Sequence, residues 1–268
     1  MTDANRPNDA RRAYPWATAL VTGASSGIGE AVVRRLAEHG VACVVVARRT
    51  ERLEALAGEL RGIEVLAADL TSTAGLAAVA ERLTDEDRPI DLLVNNAGFG
   101  TSGRLVDLDP DRLAREVALN IEAVVRLTRA ALPPMIGRRR GWILNVSSVA
   151  GFQASPGLAV YGATKSFVTS FTEAIREELR DTGIGVTALC PGLTRTEFQD
   201  VSSAGGRTAH FPAFAWMTAD EVAQRALDDC ARGRTLSIPG ALNKVLVAGS
   251  SILPRSLVRR VVGRTVDH

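Results

Sequence analysis

Tyr161 and Lys165 stand four residues apart in the run Val160-Tyr161-Gly162-Ala163-Thr164-Lys165. On a helix that spacing puts both side chains on one face. A phenol with a pKa of about 10 is a weak acid at neutral pH. A neighbouring ammonium favours the phenolate and lowers that value. A tyrosine tuned in this way donates a proton to a carbonyl oxygen or removes one from an alcohol. A half-buried tyrosine beside a surface lysine has the same spacing, so the pair needs support from the rest of the chain.

A second set of residues suggests an anion site. Thr22-Gly23-Ala24-Ser25-Ser26-Gly27-Ile28-Gly29 follows an apolar run and precedes a helical pattern. Three glycines at a strand-to-helix turn let backbone approach a ligand closely. The helix N-terminus offers unpaired N–H groups and partial positive charge to a pyrophosphate. The spacing is GxxxGxG rather than GxGxxG, and a glycine turn also serves purely structural ends. The next strand ends Val46-Ala47-Arg48-Arg49. Where an acid would hold a ribose 2′-hydroxyl, this chain places Ala47 and then two arginines. A guanidinium suits a 2′-phosphate through charge and forked hydrogen bonds, which favours NADP(H) over NAD(H). Arg48 is slightly preferred as the ligand; a solvated loop position is the alternative reading for one of the two arginines.

These residues require a scaffold that alternates strands and helices. Strands are expected at Ala17–Thr22, Val41–Ala47, Ile63–Ala68, Ile90–Asn95, Gly141–Ser147, Gly185–Leu189 and Thr235–Ile238. Helices are expected at Gly29–His39, Glu51–Leu60, Thr73–Leu83, Asp111–Ile136, Ala159–Thr182 and Ala219–Arg232, with Gly40 closing the first. Strands that are apolar throughout imply a parallel sheet covered on both faces. Right-handed crossovers then give a doubly wound α/β fold. The chain is 46% hydrophobic and 23% charged, a balance that suits a globular domain rather than a disordered one. A net charge of +2 without a basic, aromatic-interleaved stretch gives no indication of nucleic-acid binding. Cys43, Cys190 and Cys230 form no CxxC pattern and read as reduced, buried thiols of a cytoplasmic protein. His39, His210 and His268 have no metal-ligand spacing. The polar stretch Met1–Ala13 lacks a signal-peptide core and reads as a disordered tail.

Taken together, the motifs resemble the short-chain dehydrogenase/reductase family over Ala17 to Ile238. Thr22–Gly29 is similar to its TGxxxGxG turn, with Gly23, Ser25, Ser26, Gly27, Ile28 and Gly29 as cofactor contacts. Asp69 matches its adenine-contacting acid, with Leu70 beside it. Asn95-Asn96-Ala97-Gly98 matches NNAG, Asn120 its active-site helix asparagine, and Ser148, Tyr161 and Lys165 its catalytic serine and YxxxK. Pro191-Gly192-Leu193-Thr194-Arg195-Thr196 matches PGxxxT near the nicotinamide. The resemblance implies a Rossmann-type, mainly parallel seven-stranded sheet flanked by helices, a single catalytic domain over 15–240, and a homo-oligomer.

It also implies a mechanism. Tyr161 donates the proton and Ser148 stabilises the developing alkoxide. Lys165 holds the nicotinamide ribose and lowers the Tyr161 pKa, and Asn120 holds a water that leads to solvent. Ser147 competes with Ser148 for its role, and Thr194 and Thr196 either bond the cofactor or cap the following segment. The variable substrate loop should span about 197–217, with Phe198, Phe211, Phe214 and Trp216; Phe99 and Phe152 lie near the cleft. An apolar ketone or aldehyde is the expected substrate. Alcohol oxidation and cofactor sensing without turnover are the alternatives. Residues 241–268, with Arg255, Arg259, Arg260 and Arg264, form an extension expected to pack on the domain, cover the site, meet a partner or touch a membrane surface.

Overall fold

The computed structural model describes residues 14–202 and 212–252. Its centre is a seven-stranded, all-parallel sheet in the order β3-β2-β1-β4-β5-β6-β9. The strands are β1 (Thr18–Thr22), β2 (Ala42–Ala47), β3 (Ile63–Ala67), β4 (Leu92–Asn95), β5 (Gly141–Val146), β6 (Ile184–Leu189) and β9 (Leu236–Ser237). A two-stranded sheet pairs β7 (Thr194–Arg195) with β8 (Met217–Thr218). The helices are α1 (Gly27–Glu38), α2 (Thr50–Glu59), α3 (Thr73–Thr84), α4 (Pro110–Val117), α5 (Ala123–Gly137), α6 (Ala159–Glu178), α7 (Phe198–Val201), α8 (Ala219–Ala231) and α9 (Ala241–Ile252).

Strand alternation divides the core between the two faces of the sheet. Val21, Val45, Leu92, Val94 and Leu144 join Val32, Leu36, Leu53, Val222 and Leu227 of α1, α2 and α8. Their sequence neighbours Leu20, Val44, Val46, Leu93 and Ile143 face the other way, against Leu76, Val79, Leu127, Met135 and Ile175 of α3, α5 and α6. The strands are therefore mostly apolar on both sides because both faces of the sheet are covered. The sheet order reverses between β1 and β4, and the loops at their carboxyl ends form the crevice where ligands bind in such sheets.

Three features depart from the sequence expectations. The last strand is only two residues long. The helix expected over Asp111–Ile136 is broken by a π-helical stretch, Ala118–Glu122, between α4 and α5. Tyr14, placed in the tail by the domain boundary, is 5% exposed and stacks on Trp16 at 5.1 Å. Residues 1–13, 203–211 and 253–268 lie outside the described residues, and with them Phe211, His210, His268 and the four arginines of the extension. The described start of that extension, α9, packs on the domain. Asn243 donates to the Pro239 carbonyl at 2.7 Å, and a Cβ on Gly192 would come within 2.3 Å of the Asn243 side chain. All three cysteines are buried, and burial pushes each thiol up to about 12. Among the described residues, no helix is long and apolar enough to cross a membrane, and no His/Cys/Asp/Glu group could hold a metal.

Candidate active site

The turn after β1 is held from behind by the loop after β4. Thr22 Oγ1 donates to the Val94 carbonyl and accepts from the N–H groups of Asn96 and Ala97. Asn96 Nδ2 donates to the carbonyls of Thr22 at 2.9 Å and Gly23 at 3.2 Å. The amide of Asn96 therefore braces the glycine turn. Gly23 has φ +66°, a region closed to most side chains. A Cβ on Gly29 would lie 2.4 Å from both Asn96 Nδ2 and the Gly23 carbonyl oxygen. Ser26, the N-cap of α1, makes no side-chain cap bond, so the first-turn N–H groups receive no side-chain cap from it. The unusual dihedral, the close backbone approach and the uncapped helix start fit a pyrophosphate.

The two arginines after β2 diverge. Arg49 turns toward the glycine turn, where its Nε and Nη2 donate to Ser25 Oγ at 3.1 and 3.0 Å and Nη2 to Ser26 Oγ at 2.7 Å. The charge of Arg48 acts instead on Asp69. Asp69 accepts from the Thr71 N–H at 2.9 Å and its hydroxyl at 2.8 Å. Burial alone would raise its carboxyl; the Thr71 bonds and Arg48 outweigh that and hold it below the usual range. Leu70 is buried beneath α3, so its side chain serves the core. Of the two, Arg49 thus lies at the glycine turn, while Arg48 acts on Asp69. Arg52 joins Arg49 there, its Nη1 reaching the Ser25 carbonyl at 3.4 Å.

At the carboxyl ends of β4 and β5 the residues expected to act on the substrate converge. Asn120 is 1% exposed. Its Nδ2 donates to the Phe99 carbonyl at 2.8 Å and Thr164 Oγ1 at 3.1 Å, and its Oδ1 accepts from the Phe99 N–H. It lies within the π-helical stretch, a distortion that frees helix backbone groups and recurs at functional sites. Gly98 lies between Asn120 and Lys165. A Cβ there would stand 2.9 Å from Asn120 Oδ1 and 3.5 Å from Lys165 Nζ. Lys165 Nζ donates to the Val146 carbonyl at 2.8 Å and lies 5.7 Å from the centre of the Tyr161 ring.

Ser147 is committed to the strand end. Its Oγ donates to the Lys165 carbonyl at 2.7 Å and pairs with Thr169 Oγ1 at 2.7 Å. Ser148 accepts from the Ala150 N–H at 3.1 Å and lies beside the Tyr161 phenol. Thr194 Oγ1 donates to the Gly192 carbonyl at 3.1 Å, and Thr196 Oγ1 accepts from the Phe198 N–H at 3.3 Å, a cap for α7. Pro191 accepts through its carbonyl from the Val149 N–H, which ties the turn after β6 to the Ser148 segment.

The electrostatics differ from the sequence expectation in one respect. Burial pushes the Tyr161 phenol up to about 12, against a downward pull from Ser148 and with an upward push from Glu116. Desolvation of the phenolate is the largest of these influences. Burial takes the Lys165 ammonium down to about 8, with Cys190 and Glu116 acting upward. Glu116 itself is fully buried on α4. It lies beside Thr101, yet neither of its oxygens meets a partner in hydrogen-bond geometry. Burial raises its carboxyl, against Thr101, Arg112 and Lys165.

Sequence reasoning missed Glu116, Arg52 and the buried chain beneath the site. In that chain Asn95 Nδ2 donates to Thr128 Oγ1 and Asn145 Oδ1, and Asn145 Nδ2 to Thr172 Oγ1. The polar interruption of the apolar runs at Asn95 and Asn145 was the available signal. These buried bonds tie β4 and β5 to α5 and α6 and so help fix the floor of the site.

The site thus brings a buried phenol, an ammonium and a hydroxyl together on the same side of the sheet as a glycine turn that fits an anion. The short chain dehydrogenase family model matches residues 17–205. This chain belongs to the short-chain dehydrogenase/reductase family of oxidoreductases. It is 40% identical over 195 residues to the NADP-dependent 3-hydroxy acid dehydrogenase YdfG of Salmonella typhi, covering 69% of this chain and 76% of that one. Among solved structures, a short-chain dehydrogenase from Sphingobium yanoikuyae in complex with NADPH superposes with a TM-score of 0.78 at 37% identity. The match covers 89% of this chain and 97% of that one. The bulky-bulky ketone specific alcohol dehydrogenase from Comamonas testosteroni gives a TM-score of 0.75 at 35% identity, covering 90% and 96%.

Proposed function

We propose that this oxidoreductase uses NADP(H) to reduce an apolar ketone or aldehyde. The observation that carries the chemistry is the buried Tyr161 phenol beside Ser148 and Lys165. Arg49, just past β2, and Arg52, in the first turn of α2, are offered to a 2′-phosphate; with the NADPH complex and the NADP-dependent relative they support NADP(H). When bound, the nicotinamide supplies the hydride. Tyr161 then gives its proton to the carbonyl oxygen while Ser148 donates a hydrogen bond to it. Lys165, in its charged form, holds the nicotinamide ribose hydroxyls, and Asn120 fixes the segment around Phe99 and Gly98 on which Lys165 rests. Thr194 and Thr196 hold the nicotinamide side.

The apolar substrate follows from what surrounds the phenol. The Phe198 ring lies 5.3 Å from that of Tyr161, and a Cβ on Gly100 would touch both rings. A small polar substrate gains little from that wall, whereas a bulky apolar one buries surface against it. The similar alcohol dehydrogenase of bulky-bulky ketones agrees with this reading. We further read the protein as cytoplasmic, with its reduced buried thiols, and as a homo-oligomer through the apolar surface around Leu113, Val117, Ile121 and Val160. NADPH consumption across ketones and aldehydes of graded bulk is the test. Efficiency rises with apolar bulk; a preference for small, polar carbonyls overturns the substrate class.

A pH dependence follows as well. Below about 8 Lys165 carries its charge, and above it the folded protein loses that proton. Tyr161, at about 12, stays protonated throughout the working range. NADPH-dependent kcat/KM therefore holds steady below pH 8 and falls above it, approaching about tenfold per unit. A profile flat to pH 9.5 removes Lys165 from this role.

A further inference from the structure

Glu197 follows Thr196 directly and immediately precedes α7. Its Oε2 accepts from Arg49 Nη1 at 2.8 Å and its Oε1 from Arg52 Nη1 at 2.6 Å. The two arginines lie 148 and 145 residues away in sequence, so the contact is tertiary. The remaining Arg49 bonds go to Ser25 and Ser26, within the phosphate turn. The same arginines that the cofactor reading assigns to a 2′-phosphate are thus held by a carboxylate of this chain. The pairing keeps Glu197 ionised, its carboxyl held down at about 2 by Arg49 and Arg52.

The next residue is the one that lies on the catalytic phenol. Phe198 is 5.3 Å from Tyr161 between ring centres. Its N–H donates to Thr196 Oγ1, so residues 196–198 form a local unit. A carboxylate on the arginines and a phenyl ring on Tyr161 therefore sit on consecutive residues. Displacing the first carries the second.

We propose that Glu197 is an internal occupant of the Arg49–Arg52 pair, that the 2′-phosphate of NADP(H) displaces it, and that this exchange draws Phe198 off Tyr161. The proposal rests on the cofactor reading above. A 2′-phosphate brings more charge and more acceptor oxygens to two guanidiniums than one carboxylate does. The Glu197 pairs are exposed, with its side chain 42% accessible, and exposed pairs hold weakly. NAD(H) lacks the group that competes. Glu197 thereby acts as a specificity-determining residue. It sets a threshold that a cofactor with a 2′-phosphate crosses and one without it does not.

Glu197→Gln keeps the shape of the side chain and removes its charge. Binding is read by fluorescence titration with NADPH, NADH, 2′,5′-ADP and 5′-ADP, with no substrate present. In the variant, NADPH and 2′,5′-ADP bind about three- to tenfold tighter, the span of two exposed ion pairs, while NADH and 5′-ADP are unchanged. The gain for 2′,5′-ADP also shrinks in high salt. Unchanged or weaker binding of the two 2′-phosphate ligands overturns the proposal; weaker binding would mean that Glu197 clamps the segment over a bound cofactor. A uniform gain for all four ligands also overturns it, because the effect would not be a phosphate exchange. If the wild-type protein binds neither NADPH nor 2′,5′-ADP, the cofactor reading itself fails, a result distinct from all of these.

Discussion

Tyr161→Phe lowers NADPH-dependent carbonyl reduction by about 10²- to 10⁴-fold, the usual contribution of a positioned general acid. The loss appears in kcat, because the phenyl ring keeps its place. The ring's neighbours are Phe198 at 5.3 Å and the Lys165 ammonium at 5.7 Å, and both contacts are made to carbon rather than to the hydroxyl. The variant therefore folds and binds NADPH within about threefold of wild type, since no packing area is lost. Steady-state kinetics together with a cofactor titration separate the two effects. Activity near wild type would remove Tyr161 as the donor. Loss of cofactor binding in step with activity would show that the phenol orders the site rather than reacting in it.

Gly29→Ala damages the cofactor turn and the fold together. The added methyl would meet Asn96 Nδ2 and the Gly23 carbonyl, each at 2.4 Å. One is the amide that braces the turn and the other is backbone, so neither can yield cheaply. Overpacking of this kind costs about 1–3 kcal/mol. For a chain of this size that is roughly 2–4 °C of melting temperature per kcal/mol. NADPH affinity falls by about tenfold or more, because the turn that presents the α1 N–H groups is displaced. Thermal denaturation and cofactor titration check the two parts. A melting temperature and dissociation constant both equal to wild type would mean that the turn accommodates a side chain.

The scaffold was legible because its strands are buried on both faces. Runs such as Val41–Ala47 have no polar alternation, and only a covered parallel sheet explains that. The glycine turn and the Tyr161–Lys165 spacing were legible because they are local. The π-helical stretch at Asn120 was not. Nothing in Val117-Ala118-Leu119-Asn120-Ile121 breaks a helix, and the side chain of Asn120 is fixed by Phe99 and Thr164 from other elements. The divergence of Arg48 and Arg49 was hidden for a similar reason. Adjacent residues leaving a strand part, and only the tertiary positions of Asp69 and Ser25 show where each goes. The effect of burial on Tyr161 was invisible too, since spacing reports a neighbouring charge but not the loss of water around it.

The three cysteines give the molecule a stopwatch. Cys43 lies in β2, Cys190 just past β6 beside the catalytic helix, and Cys230 at the end of α8, and none is more than 1% exposed. With their thiols raised to about 12, they are almost entirely un-ionised at neutral pH and closed to reagents. A thiol-reactive dye added to the native protein therefore labels only what opens. The order in which the three positions react gives the order in which the β2 region, the end of β6 and the α8 layer come apart. A cysteine introduced on the surface can meanwhile carry a probe without the native three being removed.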